Sequence, residues 1–139
     1  MNLLEALQKR VFKVFAIDDE FTYLQILKSL LGFLGISLSG EYFSWYEDLL
    51  ECKEFDINSK TTLIICDLRW GEKDIGRNVG LKTYLELKKR NYQGIFVINT
   101  SSDKSEVEKF KKELDIDEDI PILSKRGGNI EEFLSSIPV

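Results

Sequence analysis

The chain reads as an α/β protein: a doubly wound, five-stranded parallel sheet with helices on both faces and an extra short helix in front. Three observations predict this. Short runs such as Leu63-Ile64-Ile65-Cys66 are apolar without alternation, the mark of strands covered on both faces. Stretches with apolar residues every three or four positions lie between them, so strand and helix alternate five times. Acidic, hydroxyl or basic residues stand where the strands end, as expected where open α/β sheets carry their chemistry.

Met1 to Arg10 places Leu3, Leu4, Leu7 and Val11 on one helical face and is read as a leading helix. Lys13 to Ile17 is the first strand and runs into Asp18-Asp19-Glu20. Leu24, Leu27, Leu31 and Leu34 then define a helix from about Phe21 to Leu34, with Gly35 suited to its C-terminal turn. Glu41 to Trp45 is a short strand and Tyr46 to Lys53 a short helix with Leu49, Leu50 and Cys52 inward.

Thr61 to Asp67 is the central strand. A long, charged, glycine-bearing loop follows from Arg69 to Gly80, with Asn78 as the expected cap of a helix over Val79 to Arg90. The basic Lys88-Lys89-Arg90 suits that helix's negative end. Gly94 to Asn99 is the fourth strand, and Thr100 follows it. A helix over Lys104 to Leu114 puts Val107, Phe110 and Leu114 on one face. Ile120 to Ser124 is the last strand, ending at Lys125. Gly127 and Gly128 turn the chain, and Asn129 caps a last helix that buries Ile130, Phe133, Leu134 and Ile137.

Composition narrows the chemistry. The 139 residues, 43% apolar and 31% charged, suit one domain over residues 1–139, with 1–12 as the leading helix and 13–137 as the core. A net charge of −5 argues against a general grip on nucleic-acid phosphates. With no histidine, Ser-His and Cys-His nucleophiles are excluded. Cys52 and Cys66 match no zinc or redox spacing, and Cys66 belongs to a buried strand, so a reducing, cytoplasmic home is expected. Neither a membrane-length apolar run nor a secretory leader is visible.

In a parallel sheet the strand ends point one way, which brings Asp18, Asp19, Asp67, Thr100 and Lys125 toward one edge. Two carboxylates about 4 Å apart repel by roughly 4 kcal/mol at an effective dielectric near 20. Three such acids need a compensating cation. Oxygen ligands without His or Cys favour Mg²⁺, with Mn²⁺ or Ca²⁺ as alternatives. An acidic pocket with one ammonium and one hydroxyl suits phosphoryl transfer, with Asp67 as the candidate nucleophile.

Four segments carry a resemblance to the receiver domain of two-component response regulators: Val14-Phe15-Ala16-Ile17-Asp18-Asp19-Glu20, Leu63-Ile64-Ile65-Cys66-Asp67, Val97-Ile98-Asn99-Thr100-Ser101 and Pro121-Ile122-Leu123-Ser124-Lys125. The resemblance covers about Lys13 to Ile137 and implies a flavodoxin-like sheet of order 2-1-3-4-5. It implies that Asp67 accepts a phosphoryl group from a histidine kinase or a histidine phosphotransfer protein. Asp18, Asp19, Asp67 and the backbone carbonyl of Arg69 would hold Mg²⁺. Thr100 would contact the phosphoryl oxygen, and Lys125 would pair with it. The expected activity is signalling rather than turnover, at most self-catalysed phosphorylation and dephosphorylation. The chain resembles a single-domain regulator, monomeric or weakly dimeric, acting on a downstream protein without touching nucleic acid or membrane.

Gly71, Ile122 and Arg126 depart from the family pattern, which usually has Pro, an aromatic and Pro there. They keep open a receiver-like interaction module that works without phosphorylation. A third reading is a haloacid-dehalogenase-type phosphatase with Asp18 as nucleophile. Asp18-Asp19-Glu20-Phe21-Thr22 approaches its Asp-x-Asp-x-Thr pattern, with Glu20 in place of the second Asp.

Overall fold

The computed structural model describes residues 1–42, 46–68, 79–126 and 128–139. Five parallel strands form one sheet in the order β2-β1-β3-β4-β5. They are β1 (Lys13–Ile17), β2 (Gly40–Tyr42), β3 (Thr62–Asp67), β4 (Ile95–Thr100) and β5 (Ile122–Ser124). The helices are α1 (Leu3–Gln8), α2 (Phe21–Phe33), α3 (Tyr46–Leu50), α4 (Val79–Lys89), α5 (Lys104–Glu113) and α6 (Ile130–Ser135).

Both faces of the sheet are covered, which explains the unbroken apolar runs. Val14, Ala16, Leu63, Ile65, Val97 and Leu123 point into one core, shared with Leu24, Leu27 and Leu31 of α2 and Leu134 of α6. Phe15, Ile17, Ile64, Cys66, Phe96 and Ile98 point into the other, against Leu49, Leu81, Leu87, Val107 and Phe110. Each fully buried aliphatic or aromatic side chain stabilises the fold by about 1.5–3 kcal/mol. A one-residue slip of any inner strand would exchange the two sets, so the register is firmly specified.

Helix ends follow the sequence signals. Gly35 closes α2 at φ +77°, a conformation that costs glycine little. Asn129 caps α6 by accepting the Glu132 amide at 3.1 Å, and Asp103 caps α5 by accepting that of Glu106 at 2.9 Å. The leading helix is shorter than expected. Arg10 turns left-handed at φ 58°, so Val11 falls off the helical face and stands 49% exposed. α1 packs its Leu3, Leu4 and Leu7 into the α2/α6 core, and Asn2 bridges Pro138. Leu114 and Leu34, both expected inside, are only partly buried because each stands just past its helix end.

β2 is observed from Gly40 to Tyr42; the rest of its expected span, residues 43–45, lies outside the described residues, as do the Arg69–Asn78 part of the charged loop and Gly127. The Asn78 cap and the Arg69 carbonyl therefore fall outside them too.

Among the described residues, no helix is long and apolar enough to cross a membrane.

Candidate functional site

The strand order places a topological switch point between β1 and β3. From β1 the chain moves to β2 on one side, and from β3 to β4 on the other. The helices after β1 and β3 leave over opposite faces, which opens a crevice at the strands' C-terminal ends. β1 delivers Asp18 and Asp19 there, and β3 delivers Asp67.

Each acid is placed by backbone bonding. The Asp18 amide donates to the Tyr42 carbonyl at 3.0 Å, extending the β1–β2 ladder by one residue. Asp67 is the last residue of β3 and pairs in register with Asn99. Gly80, at the start of α4, lies so close to β3 that a Cβ there would collide with the Asp67 carbonyl oxygen. Its amide donates to Leu68 at 3.0 Å. A glycine is therefore required for α4 to seat behind the acid.

Asp18, Asp19 and Asp67 each offer a carboxylate oxygen within 4.8 Å of the others. Asp18 and Asp67 are buried, at 3% and 6% exposure, while Asp19 faces solvent. Lys125 reaches the same place from β5, across the end of β4. Its backbone amide donates to the Thr100 carbonyl at 2.8 Å. Its Nζ lies 2.8 Å from Asp18 Oδ2 and 3.2 Å from Asp67 Oδ1. Asp18 Oδ1 accepts the Glu20 amide at 2.9 Å, so both oxygens of Asp18 are engaged.

Burial, then the Asp18 charge, pushes the Asp67 carboxyl up to about 7, against the pull of Lys125. For Lys125, burial works to strip the proton, but Asp67 and Asp18 outweigh it and hold the ammonium above its usual range. The crevice thus keeps the Lys125 charge beside an acid whose ionisation is balanced near neutrality.

Four of the sequence-predicted side chains, Asp18, Asp19, Asp67 and Lys125, meet here. Thr100 ends β4 at the same edge, buried, and its hydroxyl accepts the Ser102 amide at 3.0 Å within its own turn. Sequence reasoning missed two residues. The Tyr23 ring lies against Lys125, with Nζ 4.0 Å from its centroid. The Tyr23 hydroxyl donates to Asn99 Oδ1 at 3.2 Å. A usable signal was present: Asn99 is a polar residue inside an apolar strand, beside the expected acceptor's strand.

The three acids fit a divalent cation. They are hard oxygen donors, close enough to share one ion, and the chain has no histidine to compete.

No family profile matches the sequence, and no curated protein does. Solved structures do. The RcsB response regulator of Salmonella typhimurium, described for its conformational dynamism in DNA interaction, superposes with a TM-score of 0.60 at 19% identity over 90% of this chain. The signal receiver domain of an HD domain-containing protein from Pseudomonas fluorescens Pf-5 gives 0.58 at 18% identity, covering 88% of each chain. The chain has the receiver fold.

The isolated REC domain of RcsB from Salmonella enterica serovar Typhimurium, solved with the phosphomimetic BeF₃⁻, gives 0.57 at 18% identity over 84% of this chain and 79% of that one. This chain spans 58% of the longer RcsB chain, so it matches the receiver part of that protein. Within the receiver fold, the acid cluster of this chain occupies the crevice at the β1/β3 switch point.

Proposed function

We propose that this chain is a response-regulator receiver that accepts a phosphoryl group on Asp67 from a histidine kinase or a histidine phosphotransfer protein. One observation carries the reading: Asp67 and Asp18 share the Lys125 ammonium, at 3.2 and 2.8 Å, in a crevice where Asp19 adds a third acid.

In this reading a carboxylate oxygen of Asp67 attacks phosphorus. The new O–P bond forms as the donor's P–N bond breaks, and the freed imidazole nitrogen keeps the electron pair and takes a proton from solvent. Asp18, Asp19 and Asp67 would hold Mg²⁺, which when bound neutralises charge on the acids and on the phosphoryl oxygens. Lys125, 3.2 Å from Asp67 Oδ1, would supply a second positive charge beside the acceptor. Thr100 would release the Ser102 amide and turn its hydroxyl toward the phosphoryl group. The acyl phosphate adds about −1.5 to −2 charges and shifts the balance between two conformations, and so the affinity for a downstream protein. The domain is then a switch in the cytoplasm, with self-catalysed phosphorylation and dephosphorylation as its only chemistry.

Two other readings have specific observations attached. Ile122, on β5, stands where the receiver family usually has an aromatic, which keeps open a module that binds partners without phosphorylation. For a phosphatase using Asp18, the engagement of both Asp18 oxygens counts against it.

The test is incubation with a small phosphodonor such as acetyl phosphate, with and without Mg²⁺. Wild type takes one acid-stable, base-labile label, and Asp67→Asn takes none. Undiminished label in Asp67→Asn overturns the assignment. Phosphomonoester turnover abolished by Asp18→Asn would install the phosphatase instead.

A further inference from the structure

Among the described residues, three groups lie against the Lys125 ammonium. Asp18 Oδ2 at 2.8 Å and Asp67 Oδ1 at 3.2 Å take two of its sides, and the Tyr23 ring, 4.0 Å from centroid to Nζ, takes another. An ammonium over an aromatic face is attracted by the ring's negative quadrupole, more so when water is excluded. Here the lysine side chain is only 10% exposed.

The ring is itself fixed. Tyr23 sits in the first turn of α2, next to buried Leu24 and one turn before buried Leu27. Its hydroxyl donates to Asn99 Oδ1 at 3.2 Å. Asn99 is 1% exposed and is the register partner of Asp67. The ring is thus anchored to the strand beside the acceptor acid.

A flexible four-carbon stem crosses β4 stably only when its end is held, because ordering a lysine costs rotamer freedom. We infer that Tyr23 is a positioning residue for Lys125: its ring, tethered by Asn99, keeps the ammonium on Asp18 and Asp67. The geometric claim stands on the contacts above; its consequence for phosphoryl acceptance rests on the reading of Asp67 as acceptor.

That consequence has a distinctive sign. The ammonium and a divalent cation would both draw on the Asp18 and Asp67 carboxylates. Without the ring, Lys125 swings toward water and Asp18 is freed. Mg²⁺ then binds more tightly, while phosphoryl acceptance slows because the counter-charge is misplaced. A general loss of structure would weaken both.

The full chain is compared as wild type, Tyr23→Phe, Tyr23→Leu and Tyr23→Gln. The Gln variant keeps the test alive if the Leu variant does not fold. Reductive methylation of Lys125, followed by mass spectrometry, should run about three- to tenfold faster in the ringless variants, and faster by a smaller factor in Tyr23→Phe, which keeps the ring but loses the Asn99 tether. Mg²⁺ titration should show affinity raised about threefold in the ringless variants, and labelling by acetyl phosphate slowed about three- to tenfold. Equal methylation rates in all the folded proteins overturn the inference, as does a parallel loss of Mg²⁺ affinity and labelling. If wild type takes no label at all, the acceptor reading of Asp67 fails. The methylation rates then still decide whether Tyr23 holds Lys125.

Discussion

Lys125 Nζ lies 2.8 Å from Asp18 Oδ2, although 107 residues separate them. Lys125→Met would leave Asp18 and Asp67 facing each other without the Lys125 counter-charge. Breaking a buried pair from one side costs about 3–5 kcal/mol. Proton uptake relieves the remaining repulsion, so the deficit in urea unfolding should be larger at pH 8 than at pH 5. Equal deficits at both pH values would mean that only packing was lost.

The Asp67 carboxyl holds its proton more tightly in the fold than a free carboxyl does. Its folded carboxyl is pushed up to about 7 from 3.8, by burial first and the Asp18 charge second. The folded state therefore binds the proton more tightly than the unfolded chain. Its contribution to stability is fully present below 3.8 and is lost as the pH rises through 7. Wild type should lose up to about 4 kcal/mol relative to Asp67→Asn across that window, because each tenfold difference in proton affinity between the two states is worth about 1.4 kcal/mol. Thermal or urea unfolding of both proteins from pH 4 to pH 8 checks this. Parallel profiles would contradict it.

Mg²⁺ should stabilise the fold through the three acids. With a dissociation constant of about 1 mM, 10 mM Mg²⁺ adds about 1.4 kcal/mol. Asp18→Asn and Asp67→Asn should each remove most of the gain. A matched ionic strength of KCl serves as control, and an equal gain there would reduce the effect to screening.

Gly80→Ala should destabilise the protein despite alanine's better helix propensity of about 1 kcal/mol. The added Cβ meets the carbonyl of Asp67, which is backbone and has no rotamer to yield. A net loss of about 1–3 kcal/mol in chemical denaturation is expected, by the usual cost of overpacking. A neutral result would show that α4 can move away from β3 at little cost.

Much of this molecule was legible in the order of its residues. β1, β3 and β4 announce themselves because strands covered on both faces need no polar alternation, as Ile64-Ile65-Cys66 illustrates. Gly35 and Asn129 marked helix ends because their local chemistry suffices there. The acids at the ends of β1 and β3 followed from the direction shared by parallel strands. What failed was extrapolation past a boundary. Val11 continued the periodicity of α1, but the left-handed turn at Arg10 had already ended the helix.

The contact of Tyr23 with Lys125 was out of reach for another reason. It joins the first turn of α2 to the loop after β5, and only the lateral order of the strands brings those together. Thr100 shows the same limit at smaller scale. Its position at the end of β4 was readable, but the turn that ties its hydroxyl to Ser102 was not.

That late arrival of Lys125 also bears on how the chain assembles. Until β5 docks beside β4, any state that already pairs β1 with β3 holds Asp18 and Asp67 together without the Lys125 ammonium. Docking of the final strand and helix is thereby coupled to relief of their repulsion. The C-terminal unit, although it adds only a short edge strand, becomes the clasp that completes the fold, and amide exchange in β1 and β3 should slow when it closes.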